Sequence, residues 1–194
     1  MRTTVYHEDI EIMHRNLPVF MTFLWDPLLH RLPHLLEEWL DKEDKRPSHL
    51  VLGSGLHYMS GGKTVNDYKN ALGKMTSKLS KLAEKKTRVV YKLVDHLQIK
   101  KADDRMAPTV IDSFNNATND IFADTKVVVW DSNLPLTDMY NDECLRHPRS
   151  QKGQRLWACE DKGHIGYIVI NQYANMLLNS ICNAAMEAGA DYCR

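Results

Sequence analysis

From residue 65 to residue 82 the large apolar side chains recur in steps of three and four, at Val65, Tyr68, Leu72, Met75, Leu79 and Leu82, with lysines at other positions. That spacing lays one apolar stripe along a helix of period about 3.6, so residues 65–85 are expected to form an amphipathic helix with its stripe in the core and its lysines in solvent. The helix is bracketed by two β-rich runs. Leu50-Val51-Leu52-Gly53-Ser54-Gly55 reads as a short apolar strand running into a glycine-rich turn, and Arg88 to Val94 reads as a second strand. Strand, helix, strand is the repeating unit of a parallel sheet, and it places the glycine-rich turn at the sheet's carboxyl end, where sites gather.

The alternation continues in both directions. Pro108 to Phe122 is expected as a helix with its proline in the first turn, and Lys126 to Trp130 as a third strand. Upstream, Leu17 to Trp25 is expected as a buried strand closed by Asp26-Pro27. A helix carrying Leu28, Leu32, Leu35, Leu36 and Trp39 follows, kinked or delayed by Pro33. A last helix runs from about Ile165 to Ala188 and ends near Gly189. The whole predicts an α/β fold, a three-layer α/β/α sandwich around a mostly parallel, flavodoxin-like sheet, with residues 1–194 as a single domain. Ser132 to Gly163 is polar and longer than ordinary connections, and is expected as a long active-site loop.

Lys plus Arg and Asp plus Glu both number 25, so the net charge offers no reason to expect nucleic acid as a partner. The most apolar run, Ile165 to Ile170, is far short of the roughly 18 residues that span a bilayer, so no membrane segment is expected. The N-terminus is polar and acidic and carries no targeting signal. Four cysteines, Cys144, Cys159, Cys182 and Cys193, fall in the last third, as two disulfides or as buried free thiols. Asn116-Ala117-Thr118 is an acceptor pattern for N-glycosylation.

The sharpest chemical feature is Asp161-Lys162-Gly163-His164. An imidazole acts as general base when one nitrogen faces a nucleophile and the other donates to a carboxylate that fixes its tautomer, and a tight turn ahead of a helix supplies that arrangement. The same four residues also suit a helix-capping Asp beside a surface His. Cys144, His147, Cys159 and His164 offer a second reading, two soft and two imidazole ligands for zinc, against which stands a Cys144–Cys159 disulfide pinning the loop. His30 and His34 lie one helical turn apart around Pro33 and read as surface residues.

Three blocks in order, Phe23-Leu24-Trp25-Asp26-Pro27, Leu50 to His57, and Asp161 to His164 with the closing helix and its Asn175, Leu178 and Cys182, resemble the SGNH/PC-esterase superfamily. The likeness is closest to the luminal catalytic domain of sialate O-acetyltransferases and the fungal and plant polysaccharide O-acetylation proteins. The resemblance implies Ser-His-Asp acyl transfer with Asp161 and His164 as catalytic residues and backbone amides of Gly53 and Gly55 as oxyanion donors, Gly53 standing where many members carry Asn. It implies a glycan acceptor, an acetyl donor (acetyl-CoA in intact members), no cofactor and no metal. It places the intact protein in the secretory pathway or Golgi lumen, with a membrane anchor.

The family's Gly-Asp-Ser block, which delivers the nucleophile, does not occur in this sequence. The chain is therefore expected to be a fragment lacking the first strand, inactive by itself, or else a noncatalytic glycan- or partner-binding derivative. Ser54, between two glycines at a strand end, is the one internal serine with elbow-like surroundings, though in the family this strand holds oxyanion donors.

Overall fold

A computed structural model describes residues 8–16, 19–97, 104–147, 156–159, 161 and 163–185. The chain is a mixed α/β protein with a three-stranded parallel sheet and a small antiparallel one. In chain order come β1 (Ile10–Met13), β2 (Phe20–Phe23), α1 (Leu32–Asp41), β3 (His49–Leu52), α2 (Leu56–Ser60), α3 (Val65–Glu84), β4 (Arg88–Lys92), α4 (Pro108–Phe122), β5 (Val128–Trp130), α5 (Asn133–Arg146) and α6 (Tyr167–Ala185).

The expected stripe forms the centre of the core. Tyr68, Leu72, Met75, Leu79 and Leu82 of α3 are buried, and a capping box between Thr64 and Asp67 starts the helix. They pack with Leu50, Leu52, Val89, Tyr91 and Val129 from one face of the sheet, and with Leu36 of α1 and Ile111, Phe114 and Phe122 of α4. The Tyr68 hydroxyl, sunk in this core, bonds the hydroxyls of Tyr91 and Thr118, each at 2.9 Å, and donates to the Ser54 carbonyl. A buried phenol demands such partners, because an unpaired hydroxyl in an apolar core costs roughly 1–3 kcal/mol. Burial, the larger effect, pushes the Tyr68 and Tyr91 phenols above their usual range.

Strands β3, β4 and β5 lie side by side in that order, with Val51 opposite Val90 and Val90 opposite Val128. The alternate residues Val51, Arg88, Val90, Lys92, Val128 and Trp130 therefore share the second face of the sheet. Side chains of α6 meet this face: Arg88 donates to Ser180 at 2.9 Å, and the Lys92 ammonium lies 4.7 Å from the centre of the Tyr173 ring. Along β3 the face is open, Val51 being 41 % exposed, and no described strand pairs with the outer edge of β3.

Two expectations are corrected. The strand foreseen over Leu17–Trp25 is not part of the parallel sheet. Its described part, β2, pairs antiparallel with β1, Ile10 opposite Phe23 and Ile12 opposite Met21, and all eight strand residues are exposed. An aromatic and apolar run specifies a strand without specifying its partner, and a neighbour a few residues away closes a far shorter loop than a parallel crossover does. The hairpin is tied down through Asp9, which accepts the Trp25 amide at 2.9 Å and pairs with Arg31 at 2.8 Å.

The second correction concerns residues 132–163, foreseen as loop. Their first half is helix α5, whose buried residues Asn133, Thr137, Tyr140 and Cys144 recur at helical spacing. The period is present but carried by polar side chains, which a search for apolar stripes passes over. The delayed start of α1 is as foreseen. Asp26 accepts the amides of His30, Arg31 and Leu32 at 2.8–2.9 Å, and Pro33 falls in the first turn. The expected end of the last helix near Gly189 lies outside the described residues.

Candidate functional site

The turn that carries Asp161 and His164 stands directly ahead of α6. Its side chains meet as the spacing foretold: His164 Nδ1 lies 3.0 and 3.1 Å from the two Asp161 carboxylate oxygens. The same carboxylate accepts the backbone amides of Gly163 at 2.9 Å and His164 at 3.0 Å. Asp161 thus folds its own turn and orients the imidazole with one group. Burial pushes the Asp161 carboxyl up, but the Gly163 amide and the His164 imidazole together outweigh it and hold the group below the ordinary carboxylate range. The His164 side chain is 73 % exposed, and its Nε2 has no hydrogen-bond partner among the described residues.

Three features hold this turn: two that sequence reasoning missed, at Tyr140 and Gly166, and the Cys144–Cys159 disulfide that it offered as the alternative to zinc. Tyr140 of α5 donates to the Trp157 carbonyl and accepts the Gly166 amide at 3.1 Å, and its ring stacks on Trp157 with centroids 5.9 Å apart. Gly166 sits so close to the Leu156 and Trp157 carbonyls that a Cβ there would lie inside contact distance of both oxygens. Cys144 of α5 is bonded to Cys159. Together with Val169 and Tyr173 these residues form a second, smaller core.

The disulfide also overturns the zinc reading, since both sulfurs are bonded to one another. His147 instead lies 3.3 Å from Glu143, His164 turns to Asp161, and among the described residues no group of three His, Cys, Asp or Glu is arranged to hold a metal. The side chain of Cys182, and Cys193, lie outside the described residues. His34 is a surface residue 3.9 Å from Glu37.

Gly53, Ser54 and Gly55 follow β3 at its carboxyl end. Gly55 has φ +137°, and a Cβ there would collide with the Val94 side chain, so only glycine suits the position. At Gly53 a Cβ would make ordinary contact 3.6 Å from the Lys92 carbonyl, so the position has room for a side chain. The Ser54 hydroxyl donates to the Pro27 carbonyl at 2.8 Å, a structural tie between the strand end and the approach to α1. Helix α6 descends from Tyr173, beside Lys92 at the carboxyl end of β4, to Ser180, beside Arg88 at the amino end. The turn ahead of α6 and the Gly53–Gly55 turn therefore lie toward the same edge of the sheet. No hydrogen bond or ion pair joins them among the described residues.

A polar cluster after β4 docks α5 onto the same edge. Asp95 accepts from Asn133 at 2.7 Å, Thr137 at 2.9 Å, Tyr173 at 2.6 Å and Lys92 at 2.6 Å. Burial first, and the Asp95 charge second, push the Tyr173 phenol up. One residue on, His96 bridges two helices, Nδ1 at 2.8 Å from Asp138 of α5 and Nε2 at 2.9 Å from Asp112 of α4. Burial pushes its pKa down, yet the carboxylates of Asp138 and Asp112 outweigh this and leave it raised.

A raised folded-state value means that the bridge stabilises fully below the unfolded value of about 6.5 and is lost as pH rises through the higher folded value. Unfolding followed from pH 5 to pH 9 is expected to show a fall in stability as pH rises past about 6.5 that His96→Gln removes. An unchanged slope in the variant would assign the fall to other groups.

The third residue of the Asn116-Ala117-Thr118 pattern has a structural task. Asn116 is exposed on α4, whereas Thr118 is buried against Tyr68 and bonds the Phe114 carbonyl at 3.1 Å. No helix among the described residues is long and apolar enough to cross a membrane. Compared with known proteins, the chain matches no family model, no curated protein and no solved structure.

Proposed function

We propose that this chain is the His–Asp portion of a serine acyl-transfer domain of the SGNH/PC-esterase kind, an α/β/α sandwich that moves an acetyl group to or from a carbohydrate hydroxyl. The observation that carries the reading is the Asp161–His164 contact at 3.0 Å, with the far imidazole nitrogen left open to solvent. In the proposed reaction a serine hydroxyl attacks the acetyl carbonyl and gives its proton to His164 Nε2, while Asp161 holds the Nδ1 proton and steadies the imidazolium. The tetrahedral intermediate collapses, His164 returns the proton to the departing alcohol or thiol, and the acetyl group stays on the serine. A sugar hydroxyl or water then gives its proton to His164 and attacks the acetyl-serine carbonyl; as this second tetrahedral intermediate collapses, His164 returns the proton to the departing serine oxygen and the acetyl group leaves on the acceptor. Backbone amides near Gly53 and Gly55 are the proposed oxyanion donors.

Ser54 does not fit the nucleophile's role, because its hydroxyl is committed to the Pro27 carbonyl. A Gly-Asp-Ser strand pairing with the free edge of β3 would complete both sheet and triad. The Cys144–Cys159 disulfide agrees with the secretory compartment proposed for the intact protein, since disulfides persist where the surroundings are oxidising. The commitment of Ser54 also favours a second reading, a noncatalytic glycan- or partner-binding derivative of the same fold.

Joining the Gly-Asp-Ser strand and helix of a family member ahead of this chain separates the two. The joined protein is expected to hydrolyse an aryl acetate, with kcat falling by about 10²–10⁴ in His164→Ala. A folded but inert joined protein, or hydrolysis indifferent to His164→Ala, overturns the acyl-transfer reading.

A further inference from the structure

We propose that the cleft between α6 and the second face of the sheet binds an amphipathic monocarboxylate, its head on Arg88 and its tail along Val90 and Val128. The first face of the sheet is consumed by the core with α1, α3 and α4, but among the described residues the second is bridged by α6, and a space of about 700 Å³ remains between them. That volume falls in the range of small-molecule sites, roughly 300–1,000 Å³. Val90 and Val128 form its floor, Met176 and Leu177 its roof, and Val128 remains 46 % exposed although it lies beside the core strand β4.

The polar groups are segregated to the ends. Arg88 stands at the amino end of β4, partly buried, with one guanidinium nitrogen donating to Ser180 at 2.9 Å. Arg88 lines the cleft, and no carboxylate pairs with it among the described residues, so a planar five-donor fork already held by one hydrogen bond is presented there. Such a fork matches a carboxylate with two parallel bonds.

The opposite end is closed by Asp131 and Ser132 beyond Trp130, whose indole donates to Ser132 at 2.9 Å. One cation with an anion at the far end selects a singly charged head and disfavours a dianion. Arg88 and Trp130 are separated by four residue steps along paired strands, about 13 Å, which is the reach of a medium-length acyl chain. Asp161 and His164 do not line this cleft, so the inference stands whether or not the acyl-transfer reading does.

Calorimetric titration of the whole chain with decanoate, below its micelle concentration, tests the site. One saturable site is expected, with affinity at least about tenfold weaker in Arg88→Met, partly recovered in Arg88→Lys, and no competition from acetate, which lacks a tail. Val128→Asp, at an exposed position that leaves the core untouched, is expected to abolish binding while the circular dichroism spectrum is preserved. The proposal is overturned if decanoate does not saturate, if Arg88→Met binds as tightly as the parent, or if neutral decanol binds as tightly as decanoate.

Discussion

Gly166→Ala is expected to dislodge the Asp161–His164 turn while leaving the main core folded. The obstruction is one of space, because a methyl group at 166 would press on the Leu156 and Trp157 carbonyl oxygens, and neither can move as a flexible side chain would. Both belong to the segment fixed by Cys159 and by the Tyr140 hydroxyl. The Gly166 carbonyl also accepts the Val169 and Ile170 amides at 3.0 and 3.2 Å, so shifting it disturbs the first turn of α6. Overpacking costs about 1–3 kcal/mol, and rigid backbone on the receiving side places this case near the top of that range. Amide exchange should show loss of protection at 166–170 with α3 and β4 unchanged, and the His164 imidazole resonance should lose its Asp161 partner. Protection equal to that of the parent chain would mean that the turn is not held as described.

Removing the Cys144–Cys159 bond is the other large effect. The two residues are 15 apart, and closing a loop of that length is worth about 3 kcal/mol through the unfolded state. Helix α5 makes the loss matter locally. Its buried side is Asn133, Thr137, Tyr140 and Cys144, so it has little apolar area with which to adhere once the crosslink is gone. Cys144→Ala with Cys159→Ala is expected to lower denaturant stability by about 3 kcal/mol and to free α5 and residues 156–166 before the main core unfolds. A single transition at the parent midpoint would show that the Asp95 and His96 contacts suffice by themselves.

What could be read in advance follows from which physics acts locally. Helix α3 was legible because five of its six stripe residues became fully buried and the sixth, Val65, partly so, and because Thr64 and Asp67 mark its start. Pro108 marked the start of α4 in the same way. The Asp161–His164 pairing was legible because three residues of spacing fix it within one turn. Helix α5 was hidden because its inward side is polar and finds its partners in Asp95 and His96, some forty residues away. Tyr140 and Gly166 escaped for a related reason: their importance lies in Trp157 and Leu156, contacts that no periodicity announces. The hairpin of β1 and β2 shows the limit of strand propensity, which marks extended backbone but leaves the choice of neighbour to the rest of the fold.

The side of β3 that pairs with no strand among the described residues has a practical consequence. An outer edge that no described strand pairs, with Val51 standing 41 % exposed beside it, is a template to which another chain can add its own backbone. Natural edges are guarded by lysine, proline or a bulge, and His49-Leu50-Val51-Leu52 has none of these. Light scattering of the chain over a range of concentrations is expected to show association that Val51→Lys suppresses, and particle size independent of concentration would show that this edge does not recruit a second copy.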